Sequence, residues 1–77
     1  MKMIRKEMLA HLKEAYPKGT RVKLVKMNDV QAPPMGTEGT VIFVDSMGSI
    51  MVDWDNGSNL SVVYGEDRCT KINERRD

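Results

Sequence analysis

Apolar residues at Met1, Ile4, Met8, Leu12 and Ala15 recur at steps of three and four, with Lys2, Arg5, Lys6, Lys13 and Glu14 between them. That period gathers the apolar set on one side of an amphipathic helix over residues 1–16. Pro17 disfavours helical geometry at the residue before it and Gly19 is a turn former, so the helix is expected to end near Ala15. A helix of this length is marginal in water by itself. Its apolar stripe must be covered by the rest of the chain or by a second copy, which makes a helix-mediated homodimer one expectation.

After Gly19 the period changes to two. Thr20 to Met27 alternates Val22 and Leu24 inward against Arg21 and Lys23 outward, and it is followed by an irregular loop, 28–36. Thr37 to Val44 is rich in β-branched residues and closes at Asp45-Ser46-Met47-Gly48, where Gly48 can supply the positive φ of a tight hairpin. Ser49 to Trp54 sets Ile50, Val52 and Trp54 on one face and Ser49, Met51 and Asp53 on the other, with Met51 a candidate contact for the helix. Asp55-Asn56-Gly57 is the clearest hairpin turn in the chain. Ser58 to Val63 reads as a fourth run, Tyr64 to Asp67 as a connection and Arg68 to Ile72 as a fifth. The expected fold is therefore all-β with an N-terminal α-helix. Residues 19–73 form a small five-stranded SH3-like barrel, closed so that no strand edge is left open, and residues 74–77 a frayed tail.

Composition narrows the function classes. The chain has 77 residues, enough for one core, and is 40% hydrophobic and 30% charged, an ordinary globular balance. Twelve Lys and Arg against eleven Asp and Glu give a net charge of +1, so a nucleic-acid contact would need a local patch rather than a global field. The single Cys69 has no disulfide partner, and no apolar run suits a signal peptide or a membrane span. A reducing, cytoplasmic setting without a membrane partner is expected. Asn56-Gly57-Ser58 and Asn59-Leu60-Ser61 then read as polar turn sequence rather than glycosylation acceptors.

No catalytic constellation is legible, and the chain is expected to be no enzyme and to carry no cofactor or metal. His11 is the only histidine and lies on the helix, and Cys69 lacks a neighbouring base and reads as a small buried hydrophobe. Asp53 to Gly57 fails as a calcium loop because its glycine comes one position early and Tyr64 stands where the closing glutamate belongs. Asp29, Asp45 and Asp67 all fall in turns, where their carboxylates can cap backbone amides. Trp54 points inward as a core or rim anchor. With Asp55 beside it and Pro33, Pro34, Met35 and Tyr64 nearby, it would make an apolar rim suited to an extended protein segment. Lys2, Arg5 and Lys6 crowd the helix start, where the macrodipole disfavours cations, and are candidate contacts for a phosphate or an acidic partner.

The stretches Gly19 to Leu24, Ala32 to Val41 (APPMGTEGTV), Val52 to Ser58 (VDWDNGS) and Gly65-Glu66-Asp67 resemble a family of short bacterial and phage proteins, domain of unknown function 4314. The resemblance covers most of the chain after the helix and brings no assigned function; the sequence departs from it at Val30, where Pro is expected. The pattern Gly-x-x-Gly-x-Val followed by Val-x-Trp-Asp-Asn-Gly is also similar to the mind-bomb type of SH3-like domain of ubiquitin ligases, which recognises peptide segments. The shared residues are mostly turn glycines and inward hydrophobics, so this likeness implies architecture rather than ligand. The leading expectation is a non-catalytic binding module that docks a protein segment on the rim formed by loop 28–36 and the Trp54 turn. The alternative is a nucleic-acid-binding accessory protein of a phage or mobile element.

Overall fold

A computed structural model describes residues 4–72. Met1, Lys2 and the expected tail at 74–77 lie outside the described residues, as does position 73. One helix, α1 (Lys6–Ala15), precedes four strands: β1 (Arg21–Lys26), β2 (Glu38–Val44), β3 (Ile50–Trp54) and β4 (Arg68–Lys71). All neighbours pair antiparallel, and the sheet order is β3-β2-β1-β4.

The inward residues read from the period-two pattern form the core. Val22, Leu24, Ile50, Val52 and Trp54 are all buried, joined by Val41, Val44 and Val62. Full burial of such a side chain contributes about 1.5–3 kcal/mol, so these few residues carry most of the drive to fold. The helix covers the same face with Leu9, Leu12 and Tyr16. Its buried side is rotated from the expected one. Met8 remains exposed while Leu9 packs, a turn of about 100° for one residue, because the sheet to be covered faces Leu9, Leu12 and Tyr16.

The sheet is open, which corrects the expected closed five-stranded barrel. The fourth run, Ser58 to Val63, forms no strand, and its pairing is reduced to one isolated bridge, Ile50 to Val62. Side-chain capture of a carbonyl accounts for this. Trp54 N–H donates to the Ser58 carbonyl, and Ile50 and Val62 exchange two bonds of 2.9 Å, so both ends of a hairpin are present. Between them the Leu60 carbonyl accepts a 2.8 Å bond from the Trp54 indole Nε1 and stands outside the ladder. Beyond Val62 the chain turns rather than extends, because Asp67 accepts the Val63 amide at 2.9 Å and the Asn28 amide at 3.1 Å. This strap, residues 62–67, leads from the Ile50–Val62 bridge to β4 without completing a barrel.

Two irregularities modify the alternation. A register shift between Val41 and Phe43 turns both Ile42 and Phe43 outward, and another between Leu24 and Lys26 leaves Val25 exposed. The turns behave as read: Gly48 has φ +86°, and Asp45 accepts the amides of Met47 and Ser49 at 2.9 Å each. Asp29 likewise accepts the Gln31 amide at 2.8 Å. On the outer face Arg21 donates to both Asp55 carboxylate oxygens at 2.9 and 2.7 Å, to Glu38 at 3.3 Å and to Thr40 at 3.0 Å. It thereby ties β1 to β2 and to the turn after β3.

Gly39 lies on β2 directly under β3. A Cβ there would sit 2.6 Å from Val52 Cγ1 and 2.9 Å from the Asp53 carbonyl, too close to keep the strands at their present spacing. Gly39→Ala is therefore expected to lose about 1–3 kcal/mol in urea unfolding. Trp54→Phe retains an aromatic core residue but leaves the Leu60 carbonyl without its donor, for a loss of about 1–3 kcal/mol. Parent-like midpoints for both variants would contradict this packing.

Candidate functional site

The gap left by the open sheet is a groove of about 330 Å³ between α1, the strap and β4. Its apolar floor comes from three directions: Leu12 on the helix with Tyr16 at its C-terminal cap, Ile50 and Val62 at the isolated bridge, and Cys69 on β4. Tyr64, Gly65 and Glu66 form one wall, and Lys26 and Arg68, partners in the β1–β4 register, form the other. Gly48 closes the end near the helix start. A Cβ on Gly48 would lie 2.7 Å from Ile4 Cδ1 and 3.2 Å from Tyr64 Cβ, so only glycine allows the helix entry, the hairpin and the strap to meet there.

The electrostatics of the groove favour neutral groups on its floor. Burial pushes the Cys69 thiol up from 9.0 to about 11, so it is protonated at neutral pH. Burial also raises the Tyr16 phenol, with the nearby Cys69 as a second cause. Lys71 Nζ stands 5.5 Å from the Tyr16 ring centroid, within cation–π range. On the opposite side of the sheet, hydrogen bonds from Arg21 hold the Asp55 carboxyl below its usual range. Among the described residues no three His, Cys, Asp or Glu side chains are placed to hold a metal ion. None of the described helices is long and apolar enough to cross a membrane.

The six residues expected to share one rim are dispersed. Trp54 is 1% exposed and serves the core, so its ring offers no platform. Pro33 is buried, whereas Pro34 and Met35 are exposed on the loop, Met35 at 77%. Asp55 is engaged by Arg21, and only Tyr64 reaches the groove. Arg5 and Lys6 are exposed at the start of α1, and Lys2 lies outside the described residues. Lys26, Tyr16, Arg68 and Cys69 were not read as binding residues. The signal for Lys26, Arg68 and Cys69 is in the strand sequences RVKLVK and RCTK, which hold five cations and no carboxylate.

The thiol provides a direct check on the enclosure of the groove floor. Alkylation of native protein by iodoacetamide across pH should show its inflection near 11. An inflection at the ordinary thiol value of about 8.5 would mean that Cys69 is open to water. The same shift makes the folded state bind its proton more tightly than the unfolded one. The Cys69 contribution to stability is therefore intact at and below neutral pH and is lost as pH rises from 9.0 to about 11.

No curated protein and no solved structure matches the chain. The family model described as a domain of unknown function (DUF4314) matches residues 5–72, a span that takes in the helix, all four strands and every residue lining the groove. The chain belongs to the DUF4314 family.

Proposed function

We propose that this chain is a non-catalytic protein-interaction module that receives an extended protein segment in the groove between α1, the strap and β4. The observation that carries this reading is the groove itself: an apolar floor open to solvent, walled by charged and aromatic side chains, beside the buried core. The only cysteine faces that floor as a neutral thiol, a poor nucleophile, which supports a binding role over a chemical one. A single free cysteine also fits a reducing, cytoplasmic setting. The binding surface is thus displaced from the loop 28–36 rim toward Tyr64 and Cys69.

Nucleic-acid binding is the second reading, favoured by Lys23, Lys26, Arg68 and Lys71 on the two neighbouring strands. Salt separates the two. Oligonucleotide binding that falls steeply between low and physiological salt would support the second reading, and absence of binding at low salt would remove it.

The leading reading is tested by selecting linear peptides from a random displayed library against the full chain and titrating the selected peptide into isotope-labelled protein. Amide shifts are expected to concentrate at Leu12, Tyr16, Tyr64, Gly65 and Cys69. Shifts confined to loop 28–36, or a library that yields no binder, would contradict it.

A further inference from the structure

Among the described residues, β4 is the outer strand of the sheet where it borders the groove, bonded to β1 alone. The direction of its main-chain groups follows from the register. Ile72 N–H donates to the Arg21 carbonyl at 2.9 Å, and antiparallel pairs alternate between bonded and non-bonded positions. Thr70 and Ile72 therefore turn their N–H and C=O groups toward β1, while Cys69 and Lys71 turn theirs away, along the free edge. The other side of β1 agrees: Leu24 exchanges 2.8 Å bonds with Thr37 and Gly36 on its β2 side. Cys69 thus belongs to both features, with its side chain on the groove floor and its main chain on the open edge.

Charge distinguishes the strands that such an edge would accept. β1 and β4 carry Arg21, Lys23, Lys26, Arg68 and Lys71 without a carboxylate; Glu38 and Asp53 lie on β2 and β3, and Glu66 and Asp67 on the strap, where Asp67 already accepts the Asn28 and Val63 amides. Of those five cations, only Arg21 forms a salt bridge with a carboxylate of the described residues. A row of cations blunts a sheet edge against neutral and basic strands. It favours an acidic one, by Coulomb attraction at the moment the main-chain bonds form.

We infer that β4 takes an acidic partner segment as an added β-strand, the groove receiving one of its apolar side chains while its carboxylates face Lys26, Arg68 and Lys71. This rests on the interaction-module reading above and specifies the chemistry and the binding mode at the same site. The recognised segment is extended, carries its apolar and acidic side chains on the one face that meets the groove, and bonds through its backbone to Cys69 and Lys71.

The test uses the full chain and peptides selected from a displayed library of random linear sequences, with one selected peptide resynthesised as a series methylated at successive backbone nitrogens. The variants Lys26→Glu and Arg68→Glu are made at exposed positions, and the emission of buried Trp54 reports that each remains folded. Expected results are enrichment of Asp and Glu in the selected peptides, loss of binding on methylation at every second nitrogen, slowed exchange of the Cys69 and Lys71 amides in the complex, and at least about tenfold weaker binding by each variant. Peptides that bind the groove without acidic enrichment, or that tolerate methylation throughout, would overturn added-strand recognition and leave the interaction module standing. A library without binders would overturn both, whether or not an oligonucleotide binds. Protection of the Cys69 and Lys71 amides in protein that self-associates without peptide would assign the edge to a second copy and overturn the proposal.

Discussion

The indole of Trp54 has two tasks that together determine the architecture. Its ring fills the centre of a core otherwise built mostly from valines, and its Nε1–H takes the Leu60 carbonyl at 2.8 Å. A buried indole N–H left without an acceptor would cost about 1–3 kcal/mol, a large share of the stability of a domain this small. The bond is therefore strongly held, and it removes from the β3 hairpin the carbonyl that a fourth strand would contribute. The ladder shrinks to the Ile50–Val62 bridge, and the sheet ends before it can close.

The remaining features of the site follow from that opening. An unclosed sheet leaves its inner face uncovered on one side, and α1 lies there with Leu9, Leu12 and Tyr16 against the core. Asp67 fastens the strap by accepting amides from Val63 and Asn28, so the gap is framed on one side by a fixed turn instead of by a strand. What is left between helix, strap and β4 is the groove, and what is left on β4 is an edge. The domain thus places an apolar cleft next to backbone groups that no other described residue pairs, within a basic half of the sheet.

Much of the core was legible in the sequence, and the groove was not. Period-two alternation located Val22, Leu24, Ile50, Val52 and Trp54 inward because each faces the same covered side of the sheet, and the turn aspartates cap amides as their positions suggest. The helix appeared with the right end but with its buried stripe one residue out of phase, since periodicity fixes a face only relative to what covers it. Ser58 to Val63 looked like a strand because its residues suit one; the competing indole bond is a tertiary event with no local signature. For the same reason Trp54 looked available to a ligand and Cys69 did not. A charge reading strand by strand, setting RVKLVK and RCTK against the acidic residues of β2 and β3, would have marked the basic edge from sequence alone.

The sheet is open, and among the described residues β4 has a free edge beside the groove. Amide hydrogen exchange on the isolated protein at low concentration tests it most directly, because the two sides of a strand are reported by alternate residues. Slow exchange is expected at Thr70 and Ile72, whose groups face β1, and fast exchange at Cys69 and Lys71. Equal protection at all four amides would show β4 paired on both sides, and the open sheet would be wrong.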